Sequence, residues 1–66
     1  MIEFVASGSQ ESRAHFAFTM GRLAGVRLLE VGFEEGDWYE AEEKDLPAIL
    51  KEAKNCNVTL LRELEG

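Results

Sequence analysis

The sequence predicts a single α+β domain in which two helices pack on one face of a four-stranded antiparallel sheet. Four segments rich in strand-forming residues alternate with two helical segments, in the order β-α-β-β-α-β. A short glycine-containing turn joins the second and third strands, which indicates a hairpin. The chain has 66 residues, so residues 1–66 are expected to form one domain around one core.

The first strand is predicted over residues 2–6, where apolar side chains alternate with others. Successive side chains of a strand point to opposite faces, so Ile2 and Phe4 are expected to face the core and Val5 the other side. The serines and glycine of 7–9 end this strand and are typical of a helix cap.

A helix is predicted over residues 10–24, with Ser9 or Ser7 as its N-cap and Gly25 as its end. Residues 16–20 also alternate large and small side chains, so a strand is the alternative. The agreement of cap, alanines and terminal glycine favours the helix. Its apolar stripe consists of Phe16, Met20 and Leu23, and Phe18 lies outside it.

The predicted hairpin joins a strand at 26–33 to a strand at 38–42 through a turn at 34–37. Alternation predicts that one set of side chains of the second strand faces inward: Leu29, Val31 and Phe33. The other set then faces outward: Val26 and Leu28. One of the neighbours Trp38 and Tyr39 is also expected on the outward side.

The second helix shows the clearest helical pattern in the chain, with apolar residues at i, i+3, i+4 and i+7: Leu46, Ile49, Leu50 and Ala53. Asp45 is the expected N-cap, and the first turn of the helix tolerates Pro47. Asn55 or Asn57 is expected at the end of the helix. The last strand is predicted over 58–64. Its inward side chains are expected to be Val58, Leu60 and Leu64, and Leu61 is expected to face outward.

This order of elements resembles the ferredoxin-like βαββαβ arrangement, with both helices on one face of the sheet. The resemblance implies that the other face has no cover of its own. Exposed apolar patches of several hundred Å² usually mark binding surfaces. The predicted interaction residues are Val5, Leu28, Trp38, Tyr39, Glu40 and Leu61. The alternative is a modestly apolar face in contact with solvent.

Acidic residues are concentrated in the second half of the chain. Residues 1–33 carry equal numbers of acids and bases, so the whole net charge of −6 lies in 34–66. An acidic surface repels phosphate backbones, and we expect no nucleic-acid partner. The acidic run from Glu34 to Asp45 is interpreted as a hydrated hairpin tip and helix start, or as a contact surface for a basic partner.

No constellation in the sequence indicates an active site, a cofactor or a metal. His15 and Cys56 are single, and no pair of soft ligands has metal-binding spacing. Cys56 is interpreted as a small buried apolar residue and His15 as a surface residue. A free thiol, no signal peptide and no membrane-spanning run indicate a cytoplasmic protein.

Three functions fit these observations. The first is a non-enzymatic interaction module that contacts another protein or itself, as a homo-oligomer. The second is a sensor of a small effector, because the layout is also similar to ACT-like domains; its candidate ligand loop is Ser7, Gly8 and Ser9. The third is a small enzyme with a site between subunits, using His15 and a carboxylate such as Glu40. The sequence favours them in that order.

Overall fold

The structure is a computed structural model that describes residues 1–33 and 36–62. Its elements are β1 (Ile2–Ser7), α1 (Gln10–Met20), β2 (Val26–Phe33), β3 (Gly36–Ala41), a 3-10 turn (Glu43–Asp45), α2 (Leu46–Asn55) and β4 (Thr59–Arg62). The predicted α+β class, with four antiparallel strands and two helices, is confirmed. The predicted turn residues Glu34 and Glu35, and Leu64 of the last strand, lie outside the described residues. Within the described ranges, no helix is long and apolar enough to cross a membrane.

The strands lie in the order β2-β3-β1-β4, so β1 and β3 occupy the centre of the sheet. The register of the central strands defines the two faces. Phe4 lies opposite Tyr39, and the next residue, Val5, lies opposite both Trp38 and Leu61. Because side chains alternate along a strand, Phe4 and Tyr39 share one face and the other three share the opposite face.

The core lies between the two helices and the face that carries Phe4 and Tyr39. The rings of these two residues stack with centroids 5.3 Å apart. Phe16 of α1 packs edge-on against Tyr39, with centroids 5.5 Å apart. The buried cluster is Ile2, Phe4, Ala6, Phe16, Met20, Tyr39, Ala41, Ile49, Ala53, Cys56 and Val58. Both helices therefore cover one face of the sheet, and we call the other face the open face.

Helix α1 confirms the helical interpretation of the ambiguous segment, but it is shorter than predicted. Ser9 is the N-cap, and its Oγ accepts a hydrogen bond from the Ser12 amide at 3.1 Å. The predicted end at Gly25 is wrong, because the helix ends at Met20 and Gly21 caps it. Phe18 is 69% exposed, as its position outside the apolar stripe predicts.

Gly25 has a different role, in the loop between α1 and β2. A Cβ at this position would lie 2.1 Å from Oδ2 of Asp45, so glycine lets the loop pack against that side chain. The Gly25 carbonyl also accepts a hydrogen bond from the Glu42 amide at 3.1 Å. The sequence pattern predicts the end of the helix at this glycine, whereas in the structure the glycine allows close packing of the loop.

Strand β2 corrects the predicted orientation of two residues. Val26 packs against the core, and Leu28 lies opposite Tyr39, so both face the helices and the outward orientation predicted for them is wrong. The register against β3 shifts between Leu28 and Glu30. A bulge inserts an extra residue into one strand and interrupts the alternation of side chains. Inward positions therefore cannot be counted in steps of two through this strand.

Helix α2 begins at Leu46 and ends in a turn that contains Asn57. Asn57 has φ of 63°, a left-handed conformation that asparagine tolerates better than most residues. The Val58 amide donates to the Ala53 carbonyl at 2.8 Å, and the Asn57 amide donates to Lys54 at 3.2 Å. These two bonds form a Schellman motif, so the interpretation of Asn57 as a helix end is confirmed.

Candidate functional site

The open face carries one apolar row across the sheet. In register, Leu61 of β4, Val5 of β1 and Trp38 of β3 lie side by side, and Glu30 of β2 ends the row. Leu61 is 38% exposed, whereas Val5, between its two larger neighbours, is only 3% exposed. The accessible apolar surface of the row is therefore contributed by Trp38 and Leu61.

A charged row lies next to the apolar row on the same face. Glu3 lies opposite Glu40, and Glu40 lies opposite Arg27. The Arg27 guanidinium forms an ion pair with the Glu40 carboxylate, which reduces the repulsion between the two glutamates. Arg27 is largely exposed, so this pair contributes little to stability.

The predicted interaction residues fall on both faces. Val5, Trp38, Glu40 and Leu61 lie on the open face, and their role in an interaction stays a prediction. Tyr39 is 1% exposed in the core, and Leu28 faces α1. Of these two neighbours on β3, Trp38 is therefore the residue that faces outward.

The candidate ligand loop is organised as a helix cap. Ser9 Oγ is engaged with the first turn of α1, and the Gly8 carbonyl accepts a hydrogen bond from Arg13 Nε at 3.2 Å. The Ser9 hydroxyl oxygen and the Gly8 carbonyl oxygen therefore both have hydrogen-bond partners within the protein. Nothing in this loop points to a ligand, and its effector role stays a prediction.

Arg13 and Asp37 form a partly buried ion pair that the sequence did not indicate. Arg13 Nη1 lies 2.9 Å from Asp37 Oδ1, and the same oxygen accepts a hydrogen bond from the Gly32 amide at 2.9 Å. Asp37 is 5% exposed, so its interpretation as part of a hydrated acidic tip is wrong. The pair links α1, β2 and β3 at one end of the helix layer. Alternation from Tyr39 along β3 places Asp37 on the inward side and is the signal that could have revealed it.

The later members of the acidic run, from residue 40 onwards, are placed differently. Glu40 is paired with Arg27, while Glu42 and Glu43 are exposed. Asp45 is half-buried and precedes α2 without a side-chain cap hydrogen bond. Only part of the run is therefore a hydrated acidic surface.

A cleft separates α1 from β2 on the helix side of the sheet. It consists of an outer cavity of about 290 Å³ and an inner cavity of about 220 Å³. Ala17 and Leu28 line both cavities, so the two adjoin. The Arg13–Asp37 pair lines the outer cavity, and Tyr39 lines the inner one.

The hydroxyl of Tyr39 is buried and has no hydrogen-bond partner among the residues that the structure describes. Burial raises the pKa of Tyr39 to about 12; the Asp37 carboxylate also raises this pKa, and the Arg13 guanidinium lowers it. The phenol is therefore protonated at neutral pH. Asp37 lies two residues before Tyr39 on β3, so the two side chains share the helix side of the sheet.

The remaining candidate groups are not brought together. His15 is exposed on α1, and its carbonyl accepts a hydrogen bond from Thr19. Cys56 is buried, as predicted, and is a free thiol. In the ranges 1–33 and 36–62, no group of three histidine, cysteine or carboxylate side chains is placed to hold a metal ion.

The fold and its surfaces define a small α+β domain with one sheet face uncovered by helices and a cleft beneath its first helix. No family model, curated protein or solved structure matches the chain.

Proposed function

We propose that the protein is a non-enzymatic interaction module that associates with a second copy of itself through the open face. The observation that carries this proposal is the apolar row formed by Leu61, Val5 and Trp38 across the face opposite both helices. A 66-residue domain buries a smaller fraction of its surface than larger domains do, so further burial by association is favourable. The cytoplasmic location that we propose is supported by the free thiol of Cys56.

The arrangement that we propose for this module is the ferredoxin-like one. Strand β3 lies between β1 and β2, and strand β1 lies between β3 and β4. Because neighbouring strands are antiparallel, β1 is parallel to β2, and β3 is parallel to β4. Each helix then connects two parallel strands that are separated by a third, which is the split βαβ pattern. This pattern leaves one sheet face free for contact.

The layout of the open face is compatible with a twofold contact. An isologous interface brings the same patch of both copies together, so an apolar row near the axis can pack against itself. The charged row of Glu3, Glu40 and Arg27 then lies beside the contact, where it can remain hydrated. A central apolar patch with a polar rim is the usual anatomy of protein interfaces.

The test compares two leucine-to-lysine variants by sedimentation equilibrium over a range of concentrations. Leu61 lies on the open face and is 38% exposed, whereas Leu50 lies on α2 and is 52% exposed. We expect the unmodified chain to form a dimer, Leu61→Lys to shift it towards monomer, and Leu50→Lys to leave it dimeric. Circular dichroism establishes that both variants are folded.

Two results would contradict self-association through this face. A monomeric unmodified chain at every concentration would exclude the second copy and direct attention to a different, basic partner. A dimer that Leu50→Lys disrupts and Leu61→Lys preserves would place the contact on the helix layer instead.

A further inference from the structure

We propose that strand β2 is a second contact surface, at which the edge strands of two copies of this chain pair antiparallel about a twofold axis. The sheet order places β2 at one end, next to β3, so within the described ranges no strand lies on its other side. An edge strand presents backbone N–H and C=O groups that can bond to a strand of another chain. This contact goes beyond the open face, because it uses the edge of the sheet.

Strand β2 is long for an edge strand and carries exposed apolar side chains. It has eight residues, and three of its large apolar residues are exposed: Leu28 by 41%, Leu29 by 39% and Val31 by 70%. Its charged residues are Arg27 and Glu30. A long edge strand with exposed apolar residues is a typical site for pairing with another chain.

The sequence of β2 is complementary to itself when two copies run antiparallel. Residues 26–31 are, in order, valine, arginine, leucine, leucine, glutamate and valine. A twofold axis between Leu28 and Leu29 places these leucines opposite each other and the two valines opposite each other. The same axis places Arg27 of each copy opposite Glu30 of the other. Opposite charges directly across from each other stabilise antiparallel strands, and like charges destabilise them.

The bulge in β2 places both charged residues on one face, which this pairing requires. Arg27 lies opposite Glu40, and Glu30 lies opposite Trp38. Glu40 and Trp38 are two residues apart on β3, so Arg27 and Glu30 both lie on the open face. In a regular strand, residues three apart point to opposite faces and cannot lie opposite each other in such a pair. The register shift between Leu28 and Glu30 removes this obstacle.

The same bulge favours a second copy over a strand of regular register. Relative to β3, strand β2 has one extra residue, Leu29, between Leu28 and Glu30. Bulges are one of the features that keep foreign strands from pairing with a sheet edge, because they interrupt the ladder. Two copies of β2 have equal numbers of residues on each side of the axis, so neither has an extra residue across the contact. A second copy is therefore the occupant that the observations favour.

The paired copies would form one continuous sheet, to which each copy contributes its four strands. The twofold axis is perpendicular to the sheet, so the helices of both copies lie on one side and both open faces on the other. Contact through the open face therefore stays possible, and the two contacts are independent. The edge contact is the weaker one, because a narrow edge gains few hydrogen bonds and apolar contacts against the cost of association. We expect it at higher protein concentrations than the open-face contact.

The experiment reverses each charge in a Leu61→Lys chain, in which contact through the open face is weakened. We expect Leu61→Lys alone to dimerise at high concentration in sedimentation equilibrium. Arg27→Glu or Glu30→Arg, added to this chain, places like charges opposite each other twice and should weaken the dimer about tenfold. Circular dichroism establishes that both variants are folded.

A mixture of the two reversed variants separates pairing from a general effect of charge. In a mixed pair, both glutamates of one copy lie opposite arginines of the other, so both charge pairs are restored. Isotopically labelled Arg27→Glu is titrated with unlabelled Glu30→Arg and followed by two-dimensional amide NMR, with shifts expected at the amides of residues 26–31. The control titrant is Glu43→Arg, which has the same net charge but reverses an exposed residue outside β2. It restores one charge pair instead of two and should bind about threefold more weakly.

Three results would overturn the proposal. A Leu61→Lys chain that stays monomeric at every concentration would exclude the second copy and direct attention to a strand of a different protein. Equal binding of both titrants by Arg27→Glu would mean that net charge alone causes the association. Shifts confined to amides outside β2 would place the contact on another surface.

Discussion

Replacing Tyr39 by phenylalanine is expected to stabilise the protein. Tyr39 is 1% exposed, and its hydroxyl has no hydrogen-bond partner among the described residues. The substitution removes this hydroxyl. The ring contacts with Phe4 and Phe16 are kept, because the phenyl group has the same outline. Relief of a buried, unpaired hydroxyl is worth about 1–3 kcal/mol. We expect a gain of about 1 kcal/mol, or a rise in Tm of about 4–8 °C for a domain of this size.

The same variant has a pH signature whose sign follows from linkage. The pKa of Tyr39 is raised to about 12 in the folded protein, above the value of about 10 in an unfolded chain. Between these values the folded state binds the proton more tightly, so stability falls as the pH rises from about 10 to 12. Phenylalanine has no proton to lose, so Tyr39→Phe does not show this fall in stability. The difference in free energy of unfolding between the variant and the unmodified chain should therefore increase from about pH 10 to about pH 12.

The assay is urea unfolding followed by circular dichroism, at neutral pH and at several alkaline values. Tyr39→Leu serves as the control, because it removes the hydroxyl together with the stacked ring and should destabilise by about 2–4 kcal/mol. A Tyr39→Phe variant that is less stable than the unmodified chain at neutral pH would refute the reasoning. That result would mean that the hydroxyl is hydrogen-bonded in solution.

Two further predictions concern the partly buried ion pair and the hairpin. Asp37→Ala should destabilise by about 2 kcal/mol, since it leaves a partly buried guanidinium and the Gly32 amide without their shared acceptor. Glu40→Ala, at an exposed pair, should cost less than about 1 kcal/mol, and equal losses in urea unfolding would contradict this difference. Gly36→Ala should destabilise more than Gly32→Ala in thermal unfolding. Both glycines have a positive φ, 151° at Gly36 and 75° at Gly32. A Cβ at Gly36 would also lie 2.1 Å from the Ala6 carbonyl oxygen, whereas at Gly32 it meets nothing within 4 Å. The reverse order would show that the φ of 75° at Gly32 costs more than the close contact at Gly36.

The sequence was sufficient for the elements and for much of the core, because those depend on local patterns. Phe4, Phe16 and Ile49 follow strand or helix periods without interruption, and all three are buried as expected. The Schellman turn at Asn57 was likewise visible, since few residues adopt a left-handed conformation readily. Local propensity and tertiary packing agree at these positions.

The features that could not be predicted depend on contacts between distant segments. The bulge after Leu28 changes which side chains of β2 face the helix, and alternation alone gives no sign of it. Asp37 lies in an acidic run that resembles a hydrated tip, yet it is buried through a partner 24 residues away. The cleft could not be predicted for the same two reasons. Leu28 and Asp37 line it only in the orientations that the structure gives them.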